Sequence, residues 1–166
     1  MGEGLMRKWP RRRAAGSTLS PMSTATFAVH RAQPVDASVL GRLLFDFNTE
    51  FEAETPSAAL LAYRFGRLLA LPDVIALIAS EVQDPDTPAP LGLTPPALGF
   101  ALITLRPTPY YTGPLAQLEE LYVVPHRRNQ GIGTVLLDSA VHTVGESGAA
   151  EMHINVDEID TDTRRL

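Results

Sequence analysis

The chain has 166 residues, 45% hydrophobic and 20% charged, with a formal net charge of −5. That length supports one domain with a sizeable core, and the composition is that of an ordinary globular protein. The absence of cysteine excludes disulfides, thiolate metal sites and a cysteine nucleophile.

The charge is uneven. Arg7, Lys8, Arg11, Arg12 and Arg13 against Glu3 give residues 1–21 a net +4, which leaves −9 on residues 22–166. An acidic body suits generic nucleic-acid binding poorly, because phosphate contacts need a basic face. Residues 1–21 read as a basic, disordered extension. Met22 is an alternative start, since β patterning begins right after it. Residues 14–19 are too short and too polar for a signal-peptide core, and no apolar run is long enough to span a membrane. The default expectation is a cytoplasmic protein.

From Met22 onward the pattern is mixed. Residues 24–31 alternate apolar and polar, with Phe27 and Val29 on one face, and predict a strand. Pro34 and Asp36 suit the first turn of a helix in which Leu40, Leu43, Phe47 and Phe51 recur at helical spacing. A second helix is expected over residues 57–71, with Leu61, Phe65, Leu68 and Leu69 inward and Pro72 as its stop. Residues 74–79 form an apolar run expected as a central strand, and the Pro-rich residues 84–96 a surface loop. Another strand follows at 97–105. A second Pro-rich loop, 106–114, carries Tyr110 and Tyr111. Residues 117–124 predict a strand. Residues 131–145 predict a helix with Ile132, Leu136, Ala140 and Val144 on one stripe, and 151–156 a further strand. Residues 160–166 look like a helix start. Neither a repeat nor a second domain is visible.

The most informative stretch is 118–133, L-E-E-L-Y-V-V-P-H-R-R-N-Q-G-I-G. An apolar strand enters a basic, glycine-punctuated turn and a helix follows at once. The first amides of a helix lack internal partners, and its dipole adds partial positive charge there. Gly131 and Gly133 permit close approach of a phosphate, and Arg127 and Arg128 are expected to add full positive charge beside it. The stretch reads as a pyrophosphate cradle. A Walker A loop would need a lysine that Gly131-Ile132-Gly133-Thr134 lacks. A dinucleotide fingerprint would need a small residue where Leu136 stands.

Arg128-Asn129-Gln130-Gly131-Ile132-Gly133 resembles the R/Q-x-x-G-x-G/A acetyl-CoA signature of the GNAT superfamily of N-acetyltransferases. L-Y-V-V-P before it resembles the family's fourth strand, and the element order from residue 24 fits as well. The resemblance implies an α+β, GNAT-like α/β/α fold over residues 22–166, with a central mixed, mostly antiparallel sheet. It implies acetyl-CoA as co-substrate. The pyrophosphate would rest on backbone amides of Arg128, Asn129, Gln130, Gly131, Ile132, Gly133 and Thr134. The pantetheine arm would pair with backbone groups of Leu121, Tyr122 and Val123, and a backbone N–H would meet the thioester oxygen. Family domains continue past the segment like residues 163–166 into a tyrosine, often the acid for the departing thiolate, and two closing strands. The expectation is therefore a C-terminally short domain, its final two strands missing and the 151–156 strand left without sheet neighbours, which a second copy could supply.

The acceptor amine must lose a proton before it attacks. Glu119 and Glu120 are the candidate bases. Adjacent strand residues point to opposite faces, so one of them is expected to face the acceptor, Glu119 by preference. Glu50, Glu52 and Glu54 either attract a cationic amine or form a solvated face. Tyr110 and Tyr111 either line the acceptor cleft or pack their loop. His30, His126, His142 and His153 lack metal-ligand spacing, so no metal is expected, and no G-x-S-x-G elbow is present. The expected activity is N-acetyl transfer from acetyl-CoA to a primary amine of a small molecule or peptide by direct attack in a ternary complex. The alternative is a non-catalytic acyl-CoA-binding module or an inactive remnant. A third reading, a nucleic-acid-associated regulator, rests on the basic tail alone.

Overall fold

The structure is a computed structural model and describes residues 5–8, 27–82 and 95–154. The expectations for residues 24–26, for 84–94 and for 155–166, including the helix start at 160–166, lie outside the described residues.

In chain order the elements are β1 (Leu5–Lys8), β2 (Phe27–Arg31), α1 (Ala37–Glu50), α2 (Ala58–Leu68), β3 (Val74–Glu81), β4 (Ala97–Arg106), β5 (Leu115–Val123), α3 (Ile132–Glu146) and β6 (Glu151–Ile154), with single 3-10 turns at Pro34–Asp36 and Pro125–Arg127. The six strands form one sheet in the order β1-β6-β5-β4-β3-β2. Among the described strands only β5 and β6 are parallel, and α3 makes the crossover between them. This is the expected mixed, mostly antiparallel α+β architecture.

Within residues 1–21 the structure describes Leu5–Lys8, and these form a strand. Leu5 lies opposite Ile154 and Lys8 opposite Glu151, so β1 covers the outer edge of β6. β6 therefore has two sheet neighbours. The physical reason is the open row of amides and carbonyls along an edge strand, which any extended segment in reach can pair with.

Alternation along the strands divides the core. Ile75, Leu77, Ala101, Ile103, Ala116, Leu118 and Met152 point to the α3 side, where Ile132, Leu136, Ala140 and Val144 meet them. The helical stripe is the expected one. Ala76, Ile78, Phe100 and Tyr122 point the other way, under Leu40, Leu43 and Phe65 of α1 and α2. Ser57 caps α2 by accepting from the Leu60 amide at 3.3 Å. The helix ends at Leu68, short of Pro72, and Leu68 is exposed rather than inward, whereas Leu69 packs against the α1–α2 side of the core.

Gly41 decides how closely α1 and α2 approach. A Cβ there would lie 2.4 Å from the Ala62 amide nitrogen and 2.8 Å from the Ala58 carbonyl oxygen. Backbone cannot yield as a side chain can, so Gly41→Val is expected to cost about 3 kcal/mol. Thermal unfolding should show it as a fall in Tm of roughly 5–10 °C.

Candidate active site

The loop between β5 and α3 holds the site. Asn129 has φ 60° and Gly131 has φ 80°, both in the left-handed region that Asn tolerates and Gly favours. Gly131 is the N-cap of α3. The first intrahelical bond runs from the Val135 amide to the Gly131 carbonyl at 3.0 Å. The amides of Ile132, Gly133 and Thr134 thus precede the hydrogen-bonded ladder. A Cβ on Gly131 would meet nothing within 4 Å, and one on Gly133 would meet only Val123 Cγ2, at 3.7 Å. The space in front of these amides is open, which fits a phosphate-sized anion.

The two arginines expected to add charge beside a phosphate are both engaged with carboxylates. Arg127 is ion-paired with Glu81 at the end of β3, and its Nε donates to Gln130 Oε1 at 3.0 Å. Arg128 donates to both carboxylate oxygens of Glu50, at 2.6 and 2.8 Å, and to the Val123 carbonyl at 3.0 Å. Each cation meets an anion from another element, so both arginines fasten the loop. Glu50, expected as an acceptor-side or solvated acid, is thereby bound to the loop, while Glu52 and Glu54 are exposed.

The backbone of β5 beside the loop has one open side. The Val124 amide donates to the Leu98 carbonyl at 2.9 Å. In an antiparallel pair residues alternate in direction, so the polar groups of Tyr122 also face β4 and those of Leu121 and Val123 face away. The β5–β6 ladder runs from Leu115–Glu151 to Leu118–Ile154. Leu121 and Val123 lie past its end, where the expected pantetheine contacts fall.

The two glutamates do not alternate as expected. Leu102 pairs with Glu120, and the next residue, Ile103, pairs with Leu118. Glu119 is the extra residue of a β-bulge. The bulge reverses the parity of β5: Leu118 and Leu121 both belong to the α3 side, whereas Tyr122 lies on the α1–α2 side. Glu120 sits opposite Leu102 on that α1–α2 face. The Glu119 carboxylate accepts from the Thr104 hydroxyl, two residues along β4 from Leu102. Both carboxylates are therefore on one face, with Glu120 half-buried and Glu119 exposed. Burial, and then the charge of Glu119, raise the Glu120 pKa above the ordinary carboxylate value.

The acetyltransferase (GNAT) family matches residues 47–166 of the chain. A putative acetyltransferase from Arthrobacter sp. FB24 is 41% identical, with a TM-score of 0.72 over 87% of this chain and 84% of that one. The chain belongs to the acetyltransferase (GNAT) family. Members of the GNAT family are transferases. An aminoglycoside N(6')-acetyltransferase type 1 of Klebsiella aerogenes is 44% identical over 57 residues, which are 33% of this chain and 38% of that protein. A similar GNAT fold occurs in the aminoglycoside acetyltransferase meta-AAC0020 from an uncultured soil metagenomic sample, solved with sisomicin, at 20% identity and a TM-score of 0.66 over 84% of each chain.

Other candidates of the GNAT chain fall outside this cluster. Tyr111 is tied to β6, its hydroxyl donating to Glu151 Oε1 at 2.6 Å, and Tyr110 is 84% exposed. His142 lies 3.4 Å from Glu146 and His153 3.5 Å from Glu151. Among the described residues no group of three or more His, Asp or Glu gathers as a metal site, and no helix is long and apolar enough to cross a membrane. Sequence reasoning singles out neither Thr104 nor Glu81. Thr104 carried a signal, being the polar member of the face that otherwise holds Phe100 and Leu102; Glu81 carried none.

Proposed function

We propose that residues 22–166 form an acetyl-CoA-dependent N-acetyltransferase domain acting on a cationic primary amine. The observation that carries this reading is the left-handed Gly131 at the head of α3, next to the open edge of β5. Acetyl-CoA supplies the acyl group as a thioester. The amides of residues 128–134 hold its pyrophosphate, and the backbone of Leu121 and Val123, on the open side of β5, orients the pantetheine arm. An N–H on that open edge stabilises negative charge on the thioester oxygen.

Glu120 takes the proton from the acceptor ammonium, a change from the preference for Glu119. A carboxylate with a raised pKa is the better base near neutral pH. Glu119 supports it by its charge and is steadied by Thr104. The freed amine attacks the thioester carbonyl, a C–N bond forms, and the C–S bond breaks with its electron pair leaving on the CoA sulfur. The acidic body and the exposed Glu52 and Glu54 favour a cationic acceptor. The aminoglycoside acetyltransferases among the similar proteins point the same way, to a small polyamine.

Calorimetric titration of the whole chain with acetyl-CoA, NAD being the control ligand, tests the reading. Selective micromolar binding, about −8 kcal/mol, is expected. A folded protein that binds neither ligand would overturn it. Turnover with an aminoglycoside then separates an enzyme from a non-catalytic acyl-CoA-binding module.

A further inference from the structure

Glu50 is the last residue of α1, and its place is set by aromatic packing. One turn earlier Phe47 packs its ring on Tyr122 of β5, centroid to centroid 5.4 Å, and Tyr122 packs on Phe100 at 6.3 Å. The Arg128 guanidinium lies 5.7 Å from the centroid of the Tyr122 ring. It therefore sits on an aromatic face, gripped by a bidentate carboxylate on one side and by the Val123 carbonyl. A planar, forked pairing of this kind fixes orientation as well as distance. The residues that follow Arg128 include Asn129 and Gly131, whose left-handed backbone turns the loop amides outward.

We propose that Glu50 is a positioning residue of the donor site. Through Arg128 it pins the start of the signature loop, so that the amides of residues 128–134 are presented to the pyrophosphate. α1 thereby becomes part of the cofactor cradle. This inference rests on the acetyl-CoA reading above.

The sign of one substitution separates this role from a competing one. If Arg128 instead swung onto the phosphates, Glu50 would be a rival anion, and Glu50→Gln would tighten acetyl-CoA binding. In the positioning role Glu50→Gln weakens it about tenfold, the effect of losing a charged hydrogen-bond partner. The experiment measures dissociation constants for acetyl-CoA and for S-acetylpantetheine, which lacks the pyrophosphate and nucleotide, with wild type, Glu50→Gln, Glu50→Asp and Arg128→Lys. The expected result is a loss for acetyl-CoA only, partly restored in Glu50→Asp. Arg128→Lys should show the same loss, because lysine keeps the charge and lacks the fork. Tighter binding by Glu50→Gln, equal losses for both ligands, or no change in either variant would overturn the proposal. Failure of the wild type to bind acetyl-CoA would instead overturn the reading beneath it, before any variant is compared.

Discussion

Gly131→Glu is expected to reduce acetyl-CoA affinity by at least about 100-fold. Two effects act together. At φ 80° a residue with a Cβ is strained by roughly 1–2 kcal/mol. The carboxylate would also enter the space that an anion must occupy, in front of amides that favour negative charge. Gly131→Asn separates them. Asparagine tolerates the left-handed region, so strain alone would leave its affinity near wild type, whereas occlusion keeps it weak. Nothing lies within 4 Å of the Cβ position, so all these variants should fold. Titration calorimetry and a melting curve on each protein check the pair of expectations. Unchanged affinity in a folded Gly131→Glu protein would remove the pyrophosphate from this loop.

Glu120→Gln is expected to lower kcat by about 10²–10⁴-fold, the usual contribution of a positioned base. The pH profile is more telling than the rate. Glu120 is raised first by burial and second by Glu119, so activity falls as acidification protonates it, at a pH above the ordinary carboxylate range. Glu119→Gln removes the second cause, and the acid limb should move to lower pH. Stability carries the opposite sign. A carboxylate whose folded pKa is raised binds its proton more readily in the folded state. Its stabilising contribution is fully present below the unfolded pKa and is lost as pH rises through the folded one. At neutral pH the Glu120→Gln protein should therefore melt at or above the wild-type temperature while turning over slowly. An acid limb unmoved by Glu119→Gln, or normal turnover by Glu120→Gln, would exclude this assignment.

How much of this was legible in the sequence differs from residue to residue. Ile132, Leu136, Ala140 and Val144 announced their face by spacing, because a helix repeats its burial every four residues or so. Gly131 and Gly133 announced the cradle by type, since neither carries a Cβ to hold a phosphate off the backbone, while the left-handed turn at Asn129 and Gly131 came with the structure. Glu119 and Glu120 were visible as acids, but their shared face was not. It depends on a bulge that exists only in the pairing of β5 with β4. Leu68 was misread as inward for a related reason: of two adjacent leucines at the end of a stripe, spacing does not say which one packs on the core, and Leu69 does.

By itself, the sequence determined the local elements, the loop chemistry and the acidity of the body, all properties of near neighbours along the chain. The tertiary structure decided which charges meet. Arg127 finds Glu81 and Arg128 finds Glu50, each from another element. It likewise decided that Leu5–Lys8 covers β6. Partner choice across such separations follows from strand order and helix packing, and charge at an arginine carries no mark of whether it will face a phosphate or a carboxylate.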